Sequence, residues 1–303
     1  MRATICQINP TVGDIENNCQ KIKKIIENYS DKSDLIIFPE MVLTGYPPED
    51  LLFDKTFINK VSDKINEMTS VVGSTPVVIG TIREHNKKLF NSAAIIQNGS
   101  IIGFRDKTHL PTYEVFDEKR YFHSSDLIEP IKINIKNKLV SLGVLICEDL
   151  WDANYDLKIC DILSHKGADI LINISASPFN IGKLQERIEL IQTKSKSLKC
   201  PFIYCNLIGA QDELVFDGRS CILNSNGEII KILPGFEECV ININLNKEHT
   251  RVSDNISEEA EIFEALSLGI RDYFYKSGHK RAIIGLSGGI DSAITAVLAQ
   301  NAL

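Results

Sequence analysis

The 303-residue sequence predicts a layered α/β fold built on mixed rather than purely parallel sheets. Three observations carry that expectation. Short apolar runs of strand type alternate with longer stretches whose apolar residues recur at helical spacing. A hairpin signal, Asn98-Gly99-Ser100, sits within that alternation, which a uniformly parallel doubly wound sheet does not accommodate. The chain is also too long for one minimal domain and fits one large α/β domain plus an additional piece. Hairpins mixed with strand–helix units point to stacked layers, with two sheets packed as a sandwich.

The elements follow in order. Residues 2–8 alternate like a strand. Asp14 is placed to cap a helix whose apolar face is Ile15, Cys19, Ile22 and Ile26. Residues 35–38 form a short continuous apolar run, the pattern of a buried strand. A helix over residues 57–72 and a strand over 77–81 come next, and strands at 91–97 and 101–106 flank the hairpin turn. Further strands are expected at residues 131–135, 139–146, 169–174, 202–206, 221–223 and 229–233, with helices at 155–165 and 183–198. At residues 246–257 the apolar signal gives way to polar residues, which marks a boundary. The chain therefore divides into a domain at 1–245, a linker at 246–257 and the start of a second, incomplete domain at 258–303. That last part opens with a helix over 258–276 and a strand over 281–285. A glycine-rich turn, Ser287-Gly288-Gly289-Ile290-Asp291-Ser292, then begins another helix. With so little partner surface, residues 258–303 are expected to be poorly ordered.

Composition narrows the class. Hydrophobic residues at 44% and charged residues at 24% are ordinary globular values, so disorder is not indicated. A net charge of −7 argues against a nucleic-acid partner, which would need a basic face. Residues 1–10 lack a signal-peptide core and no apolar run is long enough for a membrane. The eight cysteines contain no CxxC pair, which argues against a zinc ribbon. Most lie in apolar stretches and read as small hydrophobes in a reduced, cytoplasmic setting.

Three polar residues follow strand-like runs: Glu40 after LIIFP, Lys107 after IIGFRD, and Cys147 after SLGVLI. Residues at the ends of neighbouring strands can converge at one sheet edge. A carboxylate, an ammonium and a thiol then form a workable set: base, oxyanion partner and nucleophile. A nearby ammonium is also expected to lower the thiol pKa.

The words around these residues, FPE at 38–40, DKTHLP at 106–111 and CEDLW at 147–151, occur in the order Glu, Lys, Cys. Together they resemble the nitrilase, or carbon–nitrogen hydrolase, superfamily over roughly residues 1–245. The resemblance implies an α-β-β-α sandwich in which Cys147 is the nucleophile and Glu40 the general base. Lys107 would stabilise the tetrahedral intermediate, helped by a backbone N–H next to Cys147, and hydrolysis itself would need no cofactor. It also implies a supporting carboxylate after the lysine, with Glu118 as first candidate and Glu114 as second.

SGGIDS, after the apolar run at 283–285, suits an anion: its glycines free backbone amides and a helix N-terminus follows. It resembles the pyrophosphate loop of ATP pyrophosphatases, with Ser287, Gly288, Gly289, Asp291 and Ser292 as the ATP-facing residues. A nitrilase-like domain followed by this loop resembles the glutamine-dependent NAD synthetase family. LTGYPPEDLL, LPTYEVFDEKRYF and NISASPFNIGK resemble that family as well. By that resemblance Tyr46, Tyr113, Glu148, Trp151, Ser177 and Lys183 are candidates for a glutamine pocket. Glu148 would face the α-amino group and Lys183 the α-carboxylate. Glu114 stands where the family often has glycine. ATP with Mg, nicotinic acid adenine dinucleotide and a homo-oligomer are implied for the longer enzyme, while these 303 residues alone are expected not to make NAD. Two other readings stay open: a stand-alone amidase or carbamoylase, and a non-catalytic ligand-binding module.

Overall fold

The computed structural model describes residues 1–246 and 256–303, so most of the expected linker lies outside the described residues. The first half carries β1 (Arg2–Gln7), α1 (Ile15–Tyr29), β2 (Leu35–Ile37), α2 (Lys55–Met68), β3 (Val77–His85), β4 (Lys88–Gln97) and β5 (Ser100–Asp106). The second carries β6 (Ile131–Ile135), β7 (Lys138–Ile146), α3 (Ile159–His165), β8 (Ile170–Ser175), α4 (Lys183–Leu198) and β9 (Phe202–Asn206). A hairpin of β10 (Ile208–Gln211) and β11 (Leu214–Asp217) follows, then β12 (Cys221–Leu223), β13 (Ile229–Ile232) and β14 (Cys239–Asn244). Two helices end the chain, α5 (Glu258–Lys276) and α6 (Ile290–Ala302).

Two six-stranded mixed sheets form, in the orders β14-β1-β2-β3-β4-β5 and β13-β12-β9-β8-β7-β6. The alternation of side chains along each strand explains how they stack. In β2, Leu35 and Ile37 join a core with Val144, Ile146, Ile172 and Ile203 of the other sheet. Ile36 points the opposite way, into a core with Ile22 and Ile26 of α1 and Val61 and Ile65 of α2. On the far side, Leu145 and Leu171 pack with Leu163 of α3 and Ile191 of α4. The layers are therefore helix, sheet, sheet, helix. Strands with helices outside and a sheet inside are buried on both faces, which is why they read as unbroken apolar runs.

Local chemistry sets many element ends. Asp14 caps α1 by accepting from the Asn17 amide, and Asp54 caps α2 through Thr56. Asn98 and Gly99 take φ values of 51° and 69°, the left-handed pair that closes the tight β4–β5 hairpin. The structure corrects the sequence reading in four places. β14 was not expected; it pairs antiparallel with β1 along all six residues. The β10–β11 hairpin also went unread. Residues 281–285 form no strand: no described strand pairs with them and Ile283 is fully exposed, so their backbone has no ladder to join. The expected shortage of partner surface does not apply to α5. Its Ala265 and Leu268 pack with Ile208 and Phe236, and Phe179 and Val215 border that cluster. Asp272 of α5 accepts from the Ala210 amide and from Asn9 Nδ2, both at 2.7 Å.

Candidate active site

Glu40, Lys107 and Cys147 converge where strands of the two sheets end. Glu40 follows β2 in a turn laid directly on β3. A Cβ at Gly80 would come within 2.1 Å of the Pro39 carbonyl oxygen, so only glycine lets that turn approach. The Glu40 carboxylate is wholly buried and has three partners. Oε1 accepts from Lys107 Nζ at 2.8 Å and from Asn91 Nδ2 at 2.6 Å, and Oε2 accepts from the Ala176 amide at 2.7 Å.

Lys107, directly after β5, is equally buried. Its Nζ bridges Glu40 and Glu118, with 2.8 Å to each. Of the two candidate supporting carboxylates, Glu118 thus meets the ammonium, while Glu114 is exposed at the mouth of the neighbouring cavity. Burial, followed by the opposing pull of Lys107 and the push of the Glu40 charge, leaves the Glu118 carboxyl raised to about 7. A carboxyl raised in the folded state contributes stability that is full below its unfolded value, about 4.3, and lost as pH rises through the folded value. Glu118→Gln is therefore expected to show a smaller drop in stability between pH 5 and pH 7.5 than the unaltered chain. Denaturant titration at the two pH values checks this; equal drops would show that Glu118 titrates normally.

Cys147 begins a tight turn straight off β7. Its φ of +43° is a left-handed conformation that a non-glycine residue holds only when its surroundings enforce it. Asn173 on β8 supplies that enforcement: its Oδ1 accepts from the Cys147 amide at 3.0 Å, and its Nδ2 donates to the Cys147 carbonyl at 3.1 Å. The expectation of a lowered thiol pKa is not met. Burial and the Glu40 charge push the thiol up, and they outweigh the downward pull of Lys107 and of a hydrogen bond from Ser175. The resting group is a thiol, and its proton has to be taken by a base as attack occurs.

Cys147 opens into a cavity of about 710 Å³. Its walls carry Tyr113, Glu148, Trp151, Ser177 and Lys183, five of the six proposed pocket residues. Tyr113 and Tyr155 hold the Glu148 carboxylate, donating at 2.8 and 3.0 Å. Lys183 Nζ lies 3.9 Å from the centre of the Trp151 ring. The sixth residue, Tyr46, does not line the cavity. It is buried behind the site, its hydroxyl donating to Glu118 Oε1 at 3.0 Å, so it supports the carboxylate instead. Sequence reasoning missed Asn91, Asn173, Ser175, Tyr155 and Asp149. For Asn91, Asn173 and Ser175 the available signal was a polar residue within an apolar strand, as in Ile-Asn-Ile-Ser at 172–175, because a buried polar side chain needs a partner; Tyr155 and Asp149 lie outside the strands and offered no such signal.

The SGGIDS turn is exposed and apart from this cavity. Gly288 has φ +88° and Gly289 caps the start of α6. Ser292 Oγ donates to the Gly289 carbonyl at 2.9 Å. A glycine turn with an open helix N-terminus fits a phosphate group. Among the described residues, no group of three or more His, Cys, Asp or Glu side chains that could hold a metal ion gathers.

A four-layer sandwich with a cysteine, a lysine and two carboxylates gathered at its strand ends is the build of a carbon–nitrogen bond hydrolase. The carbon-nitrogen hydrolase family model matches residues 2–252, and the chain belongs to that family. The NAD synthase family model matches residues 262–303. The chain is similar along its whole length to the glutamine-dependent NAD(+) synthetases of Thermotoga maritima, at 36% identity, and Aquifex aeolicus, at 34%. It spans 58% and 59% of those relatives. Among solved structures it matches the glutamine-dependent NAD+ synthetase of Acinetobacter baumannii with a TM-score of 0.91, at 33% identity, covering all of this chain and 57% of that one. An amidase from Nesterenkonia, 18% identical with a TM-score of 0.69, shares the fold. No described helix is long and apolar enough to cross a membrane.

Proposed function

We propose that the chain is the glutamine-hydrolysing part of a glutamine-dependent NAD synthetase, comprising residues 1–245, with residues 258–303 opening its ATP-dependent domain. The carrying observation is the pairing of chemistries around one thiol. A buried Glu40–Lys107 pair stands beside Cys147, and the cavity over it offers a carboxylate, Glu148, and an ammonium, Lys183. An amide that also bears an α-amino group and an α-carboxylate suits those two walls, and a simple nitrile does not need them.

The reaction then runs in two halves. Glu40 takes the Cys147 proton as sulfur attacks the side-chain amide carbon of glutamine. The oxyanion is held by Lys107 and by the backbone N–H next to Cys147. Glu40 returns the proton to the departing nitrogen, releasing ammonia and leaving a γ-glutamyl thioester. Water, deprotonated by the same carboxylate, adds to the thioester and glutamate leaves as the thiol is restored. Asn91 and the Ala176 amide keep Glu40 aimed through both halves. In the longer enzyme, the ammonia would convert nicotinic acid adenine dinucleotide to NAD at a second site. There the loop of Ser287, Gly288, Gly289, Asp291 and Ser292 would face ATP, its backbone amides and serine hydroxyls toward the phosphates, and ATP with magnesium would supply the activation of the acceptor. Such an enzyme acts in the cytoplasm, and as a homo-oligomer.

A glutamine-like electrophile tests the site. Stoichiometric labelling followed by peptide mapping is expected to find the label on Cys147 alone among the eight cysteines; a label on Cys205 or Cys221 would overturn the assignment. Faster ammonia release from simple nitriles or N-carbamoyl amino acids than from glutamine would favour a stand-alone amidase.

A further inference from the structure

Lys107 and Cys147 belong to different sheets, at the ends of β5 and β7, and nothing in either sheet's own ladder sets the distance between them. Asp149 is the side chain that joins the two segments. It is wholly buried, two residues beyond the thiol. Its Oδ1 accepts from the Thr108 amide at 3.0 Å and the His109 amide at 2.9 Å, the two residues directly after Lys107. Its Oδ2 accepts from the Ile146 amide at 3.2 Å, the residue directly before Cys147, and from Arg105 Nη2 at 3.3 Å. One carboxylate thus grips the backbone on the far side of the lysine and the near side of the cysteine. Arg105 also donates to Thr108 Oγ1 at 2.8 Å, so the same guanidinium braces the lysine segment.

We propose that Asp149 is a positioning residue for the hydrolysis, a cross-sheet clamp that fixes the Lys107 ammonium relative to the Cys147 sulfur. This rests on the reading of Cys147 and Lys107 given above. Asp149 touches neither the thiol nor the ammonium and acts only through the backbone beside them. Capping of its own turn accounts for the Ile146 bond alone; the bonds to Thr108 and His109 have no role in that turn. An asparagine in its place offers one acceptor oxygen, and its NH2 faces either amide donors or a guanidinium. The clamp then opens on one side, and displacements of about 1 Å at a reacting pair cost on the order of a hundredfold in rate.

The test compares Asp149→Asn with the unaltered 303-residue chain by three measurements. The first is kcat and KM for glutamine, per folded molecule as counted by circular dichroism. The second is the rate of Cys147 alkylation by iodoacetamide. The third is the denaturation midpoint. The expected result is a kcat lower by roughly ten- to a hundredfold with KM within about threefold, and slower alkylation of Cys147 in protein that remains folded. Unchanged kcat per folded molecule, or unchanged alkylation, with only the denaturation midpoint lowered, would reduce Asp149 to a structural residue and overturn the proposal. If Asp149→Asn does not fold, Asp149→Glu keeps the charge for Arg105, moves the oxygens by one methylene, and carries the same comparison. Alkylation needs no glutamine. An unaltered chain that alkylates at Cys147 but does not hydrolyse glutamine therefore sinks the substrate reading while leaving the clamp to be judged on alkylation.

Discussion

Cys147→Ala, made in the longer two-domain protein, is expected to abolish NAD synthesis supported by glutamine and to leave synthesis supported by ammonium chloride near its original rate. Without the sulfur no thioester can form. Of the seven remaining cysteines, six are buried in the cores and Cys239 is half-buried. The second site would keep its own groups, and ammonium would replace the ammonia normally supplied to it. The measurement is NAD formed from the acid dinucleotide and ATP, once with each nitrogen source. Loss of both activities in a folded variant would mean that Cys147 serves more than glutamine hydrolysis. Survival of both would remove it from the chemistry.

Lys107→Met is expected to cost roughly a hundred- to a thousandfold in glutamine turnover, the usual consequence of losing one oxyanion stabiliser. The structure adds a second effect. The Lys107 ammonium is the cation between Glu40 and Glu118, and all three groups are buried. Removing one partner of a buried ionic cluster costs about 3–5 kcal/mol, because the remaining charges are left unpaired. Glu118, already raised to about 7 by burial, should then stay protonated to higher pH still. Turnover must accordingly be measured per folded molecule, with denaturation followed alongside. Near-normal turnover in folded Lys107→Met would show that the ammonium does not face the developing charge.

Most of the layered fold was legible because its strands are buried on both faces. Leu35, Ile36 and Ile37 form an apolar run only because one sheet packs inside and helices pack outside. The turn at Asn98 and Gly99 was equally legible, since few residues accept its left-handed backbone. Cys147, Glu40 and Lys107, the proposed nucleophile, base and oxyanion partner, stood out as polar residues ending such runs only together with the words around them, which carried the resemblance to the carbon–nitrogen hydrolases. Placement failed where a residue's role depends on a distant partner. Tyr46 lies within a word associated with the pocket, yet its hydroxyl meets Glu118, 72 residues away, behind the cavity. The thiol was expected to be acidified by Lys107, but burial and Glu40 prevail.

What the sequence by itself determined is therefore local: which runs become strands, where helices are capped, and which three residues stand at strand ends. These follow from side-chain periodicity, capping groups and turn conformations, all readable within a few residues. Only the tertiary structure decided that Glu118 rather than Glu114 meets Lys107, that β14 completes the first sheet, and that α5 seats on the β10–β11 hairpin while residues 281–285 stay unpaired. It alone also showed that Asp149 spans two sheets. The reason is physical: a buried carboxylate or an edge backbone takes whichever complementary partner the fold brings within hydrogen-bond reach, and those partners lie from 11 residues apart, for Lys107 and Glu118, to opposite ends of the first domain, for β1 and β14.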